Sequence, residues 1–133
     1  MTKRQDWAER LAQTVEGARG KAFVWGSHDC CTFALECVNS QLDEPVALPV
    51  GAWTNERTAL RAIAEAGGLE SGLDGLFTRR ESPLLAQRGD VVLVDVHGRL
   101  CVAVCTGVSL VAPNADGLES MTVTDGLTAW KVA

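Results

Sequence analysis

No run of five or more lysines or arginines occurs in this chain, whose formal charge is −5 with a pI near 4.9. That balance argues against nonspecific binding to nucleic acid or to an anionic membrane face. Long apolar runs are also missing. Stretches such as Leu100 to Cys105 are far too short to cross a bilayer. The opening MTKRQDWAERLAQ has basic residues with no apolar core behind them, so it does not read as a signal peptide. No phosphate loop or nucleotide fingerprint is present, because GARG lacks a strand–loop–helix setting. Internal repeats and low-complexity segments are absent as well. What remains is a composition 47% hydrophobic and 22% charged over 133 residues, ordinary for a soluble protein and enough for one domain, residues 1–133.

Histidine is scarce, with two residues, whereas there are five cysteines: Cys30, Cys31, Cys37, Cys101 and Cys105. An odd number without an export signal predicts reduced thiols rather than a disulfide framework. No C-x-x-C pair exists to start a zinc site. Cys101 and Cys105 fall in a predicted strand, roughly 13 Å apart at about 3.3 Å per residue, too far to share an ion. No metal and no cofactor are expected.

Helical patterns come first and strand patterns second, an α+β order. Trp7, Leu11 and Val15 predict an amphipathic helix over 4–16, stopped by Gly17. A second helix is predicted from Cys30 to about Leu42, followed by an irregular link bounded by Pro45 and Pro49. Thr54 is the expected N-cap of a third helix carrying Leu60 and Ile63 and closed by Gly67-Gly68. The glycine-spaced segment from Leu69 to Gln87 has no clear pattern. Two β-rich runs then flank His97-Gly98, a hairpin signature. Val108 to Ala112, Met121 to Thr124 and Thr128 to Val132 read as further strands. The four tryptophans, Trp7, Trp25, Trp53 and Trp130, are expected to anchor the core or an interface. Asp90 is expected to fix a turn at a strand start, and Arg79-Arg80 to be a solvated loop pair.

The stretch WGSHDCCTFALE, Trp25 to Glu36, holds the chemistry. Asp29 suits an N-cap, which makes Cys30 the first helical residue. The helix dipole and free backbone N–H groups favour a thiolate there, and the Asp29 carboxylate opposes it. At about 100° per residue Cys30 falls near the middle of the apolar arc and Cys31 toward its edge. Position supports a nucleophile, and burial supports a core residue.

FVWGSHDCCTFA, from Phe23 to Ala34, is similar to the aromatic-x-W-G and D-C-S-G-[LF]-[VA] motifs of the NlpC/P60 superfamily of papain-like cysteine peptidases. RGDVVLV, from Arg88 to Val94, resembles that family's P-G-D-[LV]-V strand, and CVAVCTG, from Cys101 to Gly107, lies where its H-V-G-I-Y-x-G strand belongs. The likeness covers roughly two-thirds of the chain and is nearest to small phage and prophage tail-associated proteins of unassigned activity. It implies N-terminal helices packed on a small antiparallel sheet. It also implies that Cys30 holds the nucleophile position and Cys31 that of the following serine, a packing residue.

The base does not carry over. Its position holds Cys101, and the third polar position falls in LVAPN, nearest Pro113. His97, at the predicted hairpin tip, lies roughly 13 Å from the base position, and His28 sits just outside the helix start. A cysteine peptidase needs a base near the sulfur to form the thiolate and to protonate the leaving amine. The resemblance therefore implies a catalytically degenerate module with a structural or binding role in a phage tail or tail tip. Such a protein is cytoplasmic at synthesis and then part of the virion, with other tail proteins as partners and peptidoglycan as a further candidate. The alternative is an active peptidase or amidase that uses Cys30 with a rearranged base.

Overall fold

A computed structural model describes residues 1–47 and 53–133. Pro49, one bound of the expected link, lies outside the described residues. The architecture is α+β: four α-helices and a six-stranded antiparallel sheet among the described residues. None of these helices is long and apolar enough to cross a membrane.

Helix α1, Trp7–Ala18, buries Leu11, Val15 and Ala18. It runs past Gly17, the expected stop. Burying Ala18 outweighs the cost of about 1 kcal/mol for an exposed helical glycine. Helix α2, Cys30–Gln41, packs Phe33, Ala34, Cys37 and Val38 into the same core. Helix α3, Glu56–Glu65, is capped one residue later than expected, by Asn55. Asn55 Oδ1 accepts from the Thr58 amide at 2.9 Å while Thr58 Oγ1 accepts from the Asn55 amide at 3.2 Å. The segment without clear pattern contains helix α4, Leu69–Leu76, with Leu69, Leu73 and Leu76 on the core at helical spacing.

The strands are β1, Thr78–Arg79; β2, Val91–Val96; β3, Arg99–Cys105; β4, Leu110–Asn114; β5, Gly117–Met121; and β6, Thr128–Lys131. Their spatial order is β1-β6-β2-β3-β4-β5. The β2–β3 hairpin turns at His97-Gly98 as expected, with φ of 53° and 83°, the backbone that a two-residue type I′ turn demands. The next hairpin is displaced from its expected position. Leu110 pairs with Met121 and Asn114 with Gly117, so the expected strand at Met121 to Thr124 gives way to β5 and a 3₁₀ turn, Val123–Asp125. Pro113 is tolerated inside β4 because β3 reaches only to Val111, so no ladder bond with β3 is lost there.

Both faces of the sheet are buried, which explains the unbroken apolar run VVLV. Val91, Leu93, Val102, Val104, Val111 and Trp130 meet α1 and α2. Val92, Val94, Ala103, Cys105, Leu110 and Ala129 form a second core, flanked by Ala86, Met121 and Val123.

Arg79 and Arg80 are not a solvated loop pair. Arg79 is paired within the sheet and bridges Glu70 and Asp74. Arg80 clamps the buried Asp90 carboxylate through two bonds of 2.8 and 3.0 Å.

Candidate functional site

The site is built around the start of α2. Asp29 closes a capping box: its Oδ1 accepts from the Thr32 amide at 2.9 Å, and its own amide donates to Thr32 Oγ1 at 2.7 Å. Its other oxygen accepts from the Gly26 amide at 2.9 Å and from the Trp53 indole N–H at 2.6 Å. One buried carboxylate thus fixes the helix start, the loop before it and the residue leading into α3. Gly26 is the glycine of the W-G pair for two reasons. Its φ is 86°, and a Cβ there would collide with the Trp53 carbonyl.

This arrangement leaves Cys30 half-buried and Cys31 buried at 8% exposure, beside Trp53 and Ala59. The helical projection had these two the other way round. It assumes one continuous apolar surface, whereas the first turn of α2 lies between two surfaces. Cys31 faces the α3 side, and Cys30 faces the edge of β3.

That edge is open because β4 pairs with β3 only through Val104 and Cys105. The α2 start fills the gap. Helix α2 packs against β3, the strand that carries Cys101. The Cys31 sulfur is 4.0 Å from that of Cys30. Cys30 and Cys31 are therefore a close thiol pair at the start of the helix.

Cys30 is the thiol that loses its proton most readily. Hydrogen bonds from Cys101, then Cys31, and then the Val102 amide lower its pKa well below the ordinary thiol value, against burial and the Asp29 charge. Cys31 and Cys101 move the other way, each chiefly because it donates to Cys30 and secondly because it is buried.

Neither histidine acts on the Cys30 sulfur. The His28 ring is buried edge-on against Phe33, 6.0 Å between centroids, and its Nε2 has no hydrogen-bond partner among the described residues. His97 stands at the hairpin tip, 86% exposed, with Nε2 3.7 Å from Glu119 Oε1. Pro113 lies inside β4 and offers no side-chain acceptor. At the rim, the Arg99 guanidinium sits over the Trp25 ring at 5.4 Å and bonds Glu56 at 2.7 Å. Behind Cys31, α4 helps to enclose an apolar cavity of about 70 Å³ lined by Val38, Trp53, Leu69, Leu73 and Phe77. Among the described residues, no group of three or more His, Cys, Asp or Glu side chains is arranged to hold a metal ion.

The chemical capacity of this arrangement is a stabilised thiolate at the start of α2, with the Cys31 thiol beside it. Cys30 was legible as the first residue of the helix. The roles of Asp29 and Trp53 as a shared anchor were not, since the 24-residue separation leaves no periodic trace. No curated protein and no solved structure matches the chain. A family model described as a domain of unknown function, DUF6950, matches residues 2–132, and the chain belongs to that family.

Proposed function

We propose that this chain is a papain-like module of the NlpC/P60 type that keeps the nucleophile position at Cys30 and has lost its catalytic base. Its role is then structural or binding, as a component of a phage or prophage tail tip. The observation that carries the loss of catalysis is that β3 presents Cys101, a thiol, at the position where the family resemblance calls for a base histidine. Amide cleavage needs a group that takes a proton from the nucleophile and returns it to the leaving amine. Cys101 holds its own proton more tightly than an ordinary thiol, so it solvates a thiolate without shuttling protons. The tail setting, and with it assembly into a virion after synthesis in the cytoplasm, rests on the motif resemblance. Co-purification of the tagged chain with tail-tip proteins from an induced lysogen tests the role. A stable monomer that never enters tails overturns it.

One observation favours a second reading, a working thiol hydrolase or acyltransferase acting on peptidoglycan stem peptides or a similar amide. Cys30 sits at the first residue of α2 and its pKa lies well below the ordinary thiol value, as a nucleophile requires. In that case Cys30→Ala abolishes turnover of stem peptides and Cys31→Ala retains it. Equal rates in wild type and Cys30→Ala remove this reading.

A further inference from the structure

Adjacent residues on a helix point about 100° apart and do not face each other. The first two residues of α2 depart from that, since the sulfurs of Cys30 and Cys31 lean together to 4.0 Å. A relaxed disulfide does not suit them. Their Cα atoms are about 3.8 Å apart, below the roughly 4.4–6.8 Å that such a bond spans. The Asp29–Thr32 capping box also holds that backbone in helical form. Cys30 is half-buried and gives access to the pair, whereas Cys31 is covered by Trp53 and Ala59. The pair therefore stays a dithiol, with one sulfur at the rim and the other against an apolar wall.

We propose that Cys30 and Cys31 bind one monovalent copper ion, held between their two sulfurs. Metal–thiolate bonds of about 2.3 Å to sulfurs 4.0 Å apart meet at an angle of about 120°. That is the angle of a three-coordinate ion, with one position left for an outside thiol. Zinc fits poorly. A structural zinc site takes four protein ligands, and the described residues offer no group of three or more. Copper(I) is satisfied by two or three soft sulfurs, and thiolates select it. The ion arrives as a complex with three molecules of a small thiol. Two Cu–S bonds to that carrier break, two form to Cys30 and Cys31, and the third carrier thiolate stays. The two cysteine protons leave on the released carrier thiols, and copper stays monovalent throughout. Cys30 binds first, being the accessible sulfur and the more readily ionised one. Coordination then deprotonates Cys31, which otherwise holds its proton tightly. The apolar wall of Trp53 and Ala59 limits the access of water to the ion. Bound copper occupies the nucleophile position, whichever function the chain performs.

The test is an anaerobic titration of the reduced full chain with copper(I)–glutathione against bathocuproine disulfonate, a chromophoric chelator. Native mass spectrometry reads the stoichiometry. The expected result is one ion per chain, with affinity lower by roughly 100-fold or more in both Cys30→Ser and Cys31→Ser, since each keeps one ligand of the two. Cys101→Ser should keep the stoichiometry and most of the affinity. X-ray absorption at the copper edge of the loaded wild type decides even where a variant fails to fold. It should show a shell of sulfur alone, at about 2.3 Å. The proposal is overturned by nitrogen or oxygen in that shell, by a loss confined to one of the two cysteine variants, or by an equal loss in Cys101→Ser. Zinc held as tightly as copper, or copper bound only after the protein unfolds, overturns it as well.

Discussion

At the scale of single residues, the five thiols divide by what surrounds each sulfur. Cys30 is the thiol whose pKa is lowered, chiefly by the Cys101 and Cys31 thiols, so it should alkylate at lower pH than the other four, with a midpoint below the ordinary value of about 8.5. Cys101→Ala removes the leading cause and should move that midpoint upward; an unchanged midpoint would shift the credit to Cys31 and the Val102 amide. Because the folded-state pKa of Cys30 is depressed, its share of stability is complete above the unfolded value and is lost as pH falls through the folded one. Cys37 has the opposite sign. It is fully buried, and burial, followed by the Glu36 charge, raises its pKa. Its share is intact below about pH 8.5 and is lost as pH rises, at about 1.4 kcal/mol per pH unit while the unfolded thiol alone ionises. Urea melts of Cys37→Ala from pH 8 to 10.5 should therefore fall less steeply than wild type by about that slope. Parallel curves would show that Cys37 ionises while folded. The sequence placed Cys30 correctly at the helix start and inverted the burial of Cys30 and Cys31. A projection along one helix cannot register that the first turn is covered by different elements from the rest.

Among the elements, α2 depends on what happens before it begins. Asp29 serves as its cap and also accepts from Gly26 and Trp53. Asp29→Ala should cost about 1 kcal/mol for the cap and about 1–3 kcal/mol for the buried indole N–H left unpaired, roughly 2–4 kcal/mol together. Asp29→Asn keeps an oxygen for the Thr32 amide but sets an NH₂ group against two donors, so its loss should be intermediate. Chemical denaturation of both variants checks the order; equal losses would mean that the Thr32 bond kept by Asn contributes nothing, and no loss on Asp29→Asn would mean that Trp53 contributes nothing through its nitrogen. Caps and turns were the most legible part of this fold, since Asp29 and His97-Gly98 act on their immediate neighbours. Helix α4 was not legible. LESGLDGL spends two of eight positions on glycine, and it is helical because its leucines land on a core that other elements build.

For the molecule as a whole, the sheet must be closed by segments remote in sequence. Strand β6 lies between β1 and β2, so Thr78 pairs with Lys131 and Val91 with Trp130. The Arg80–Asp90 pair staples this closure. The Arg80 amide donates to Ala129 at 2.8 Å, its side chain grips Asp90, and the Asp90 carbonyl accepts from the Cys105 amide at 2.9 Å. Residues just beyond β1, just before β2, and in β3 and β6 are thereby held at one point. Asp90 was legible as a turn-fixing residue, which it is through its bond to the Gln87 amide at 3.0 Å. Its cationic partner was not, because charge pairing across a ten-residue loop follows no period. Arg80→Ala strands a carboxylate that is 2% exposed and should cost about 3–5 kcal/mol. Arg79, whose ion-pair partners are solvent-exposed, should lose far less on the same substitution. The double variant Arg80→Ala/Asp90→Ala should be less destabilised than the two single losses combined, because most of each loss is the charge left behind. Additive losses in a denaturation cycle would instead mean that the two side chains contribute separately, and that strand pairing alone closes the sheet.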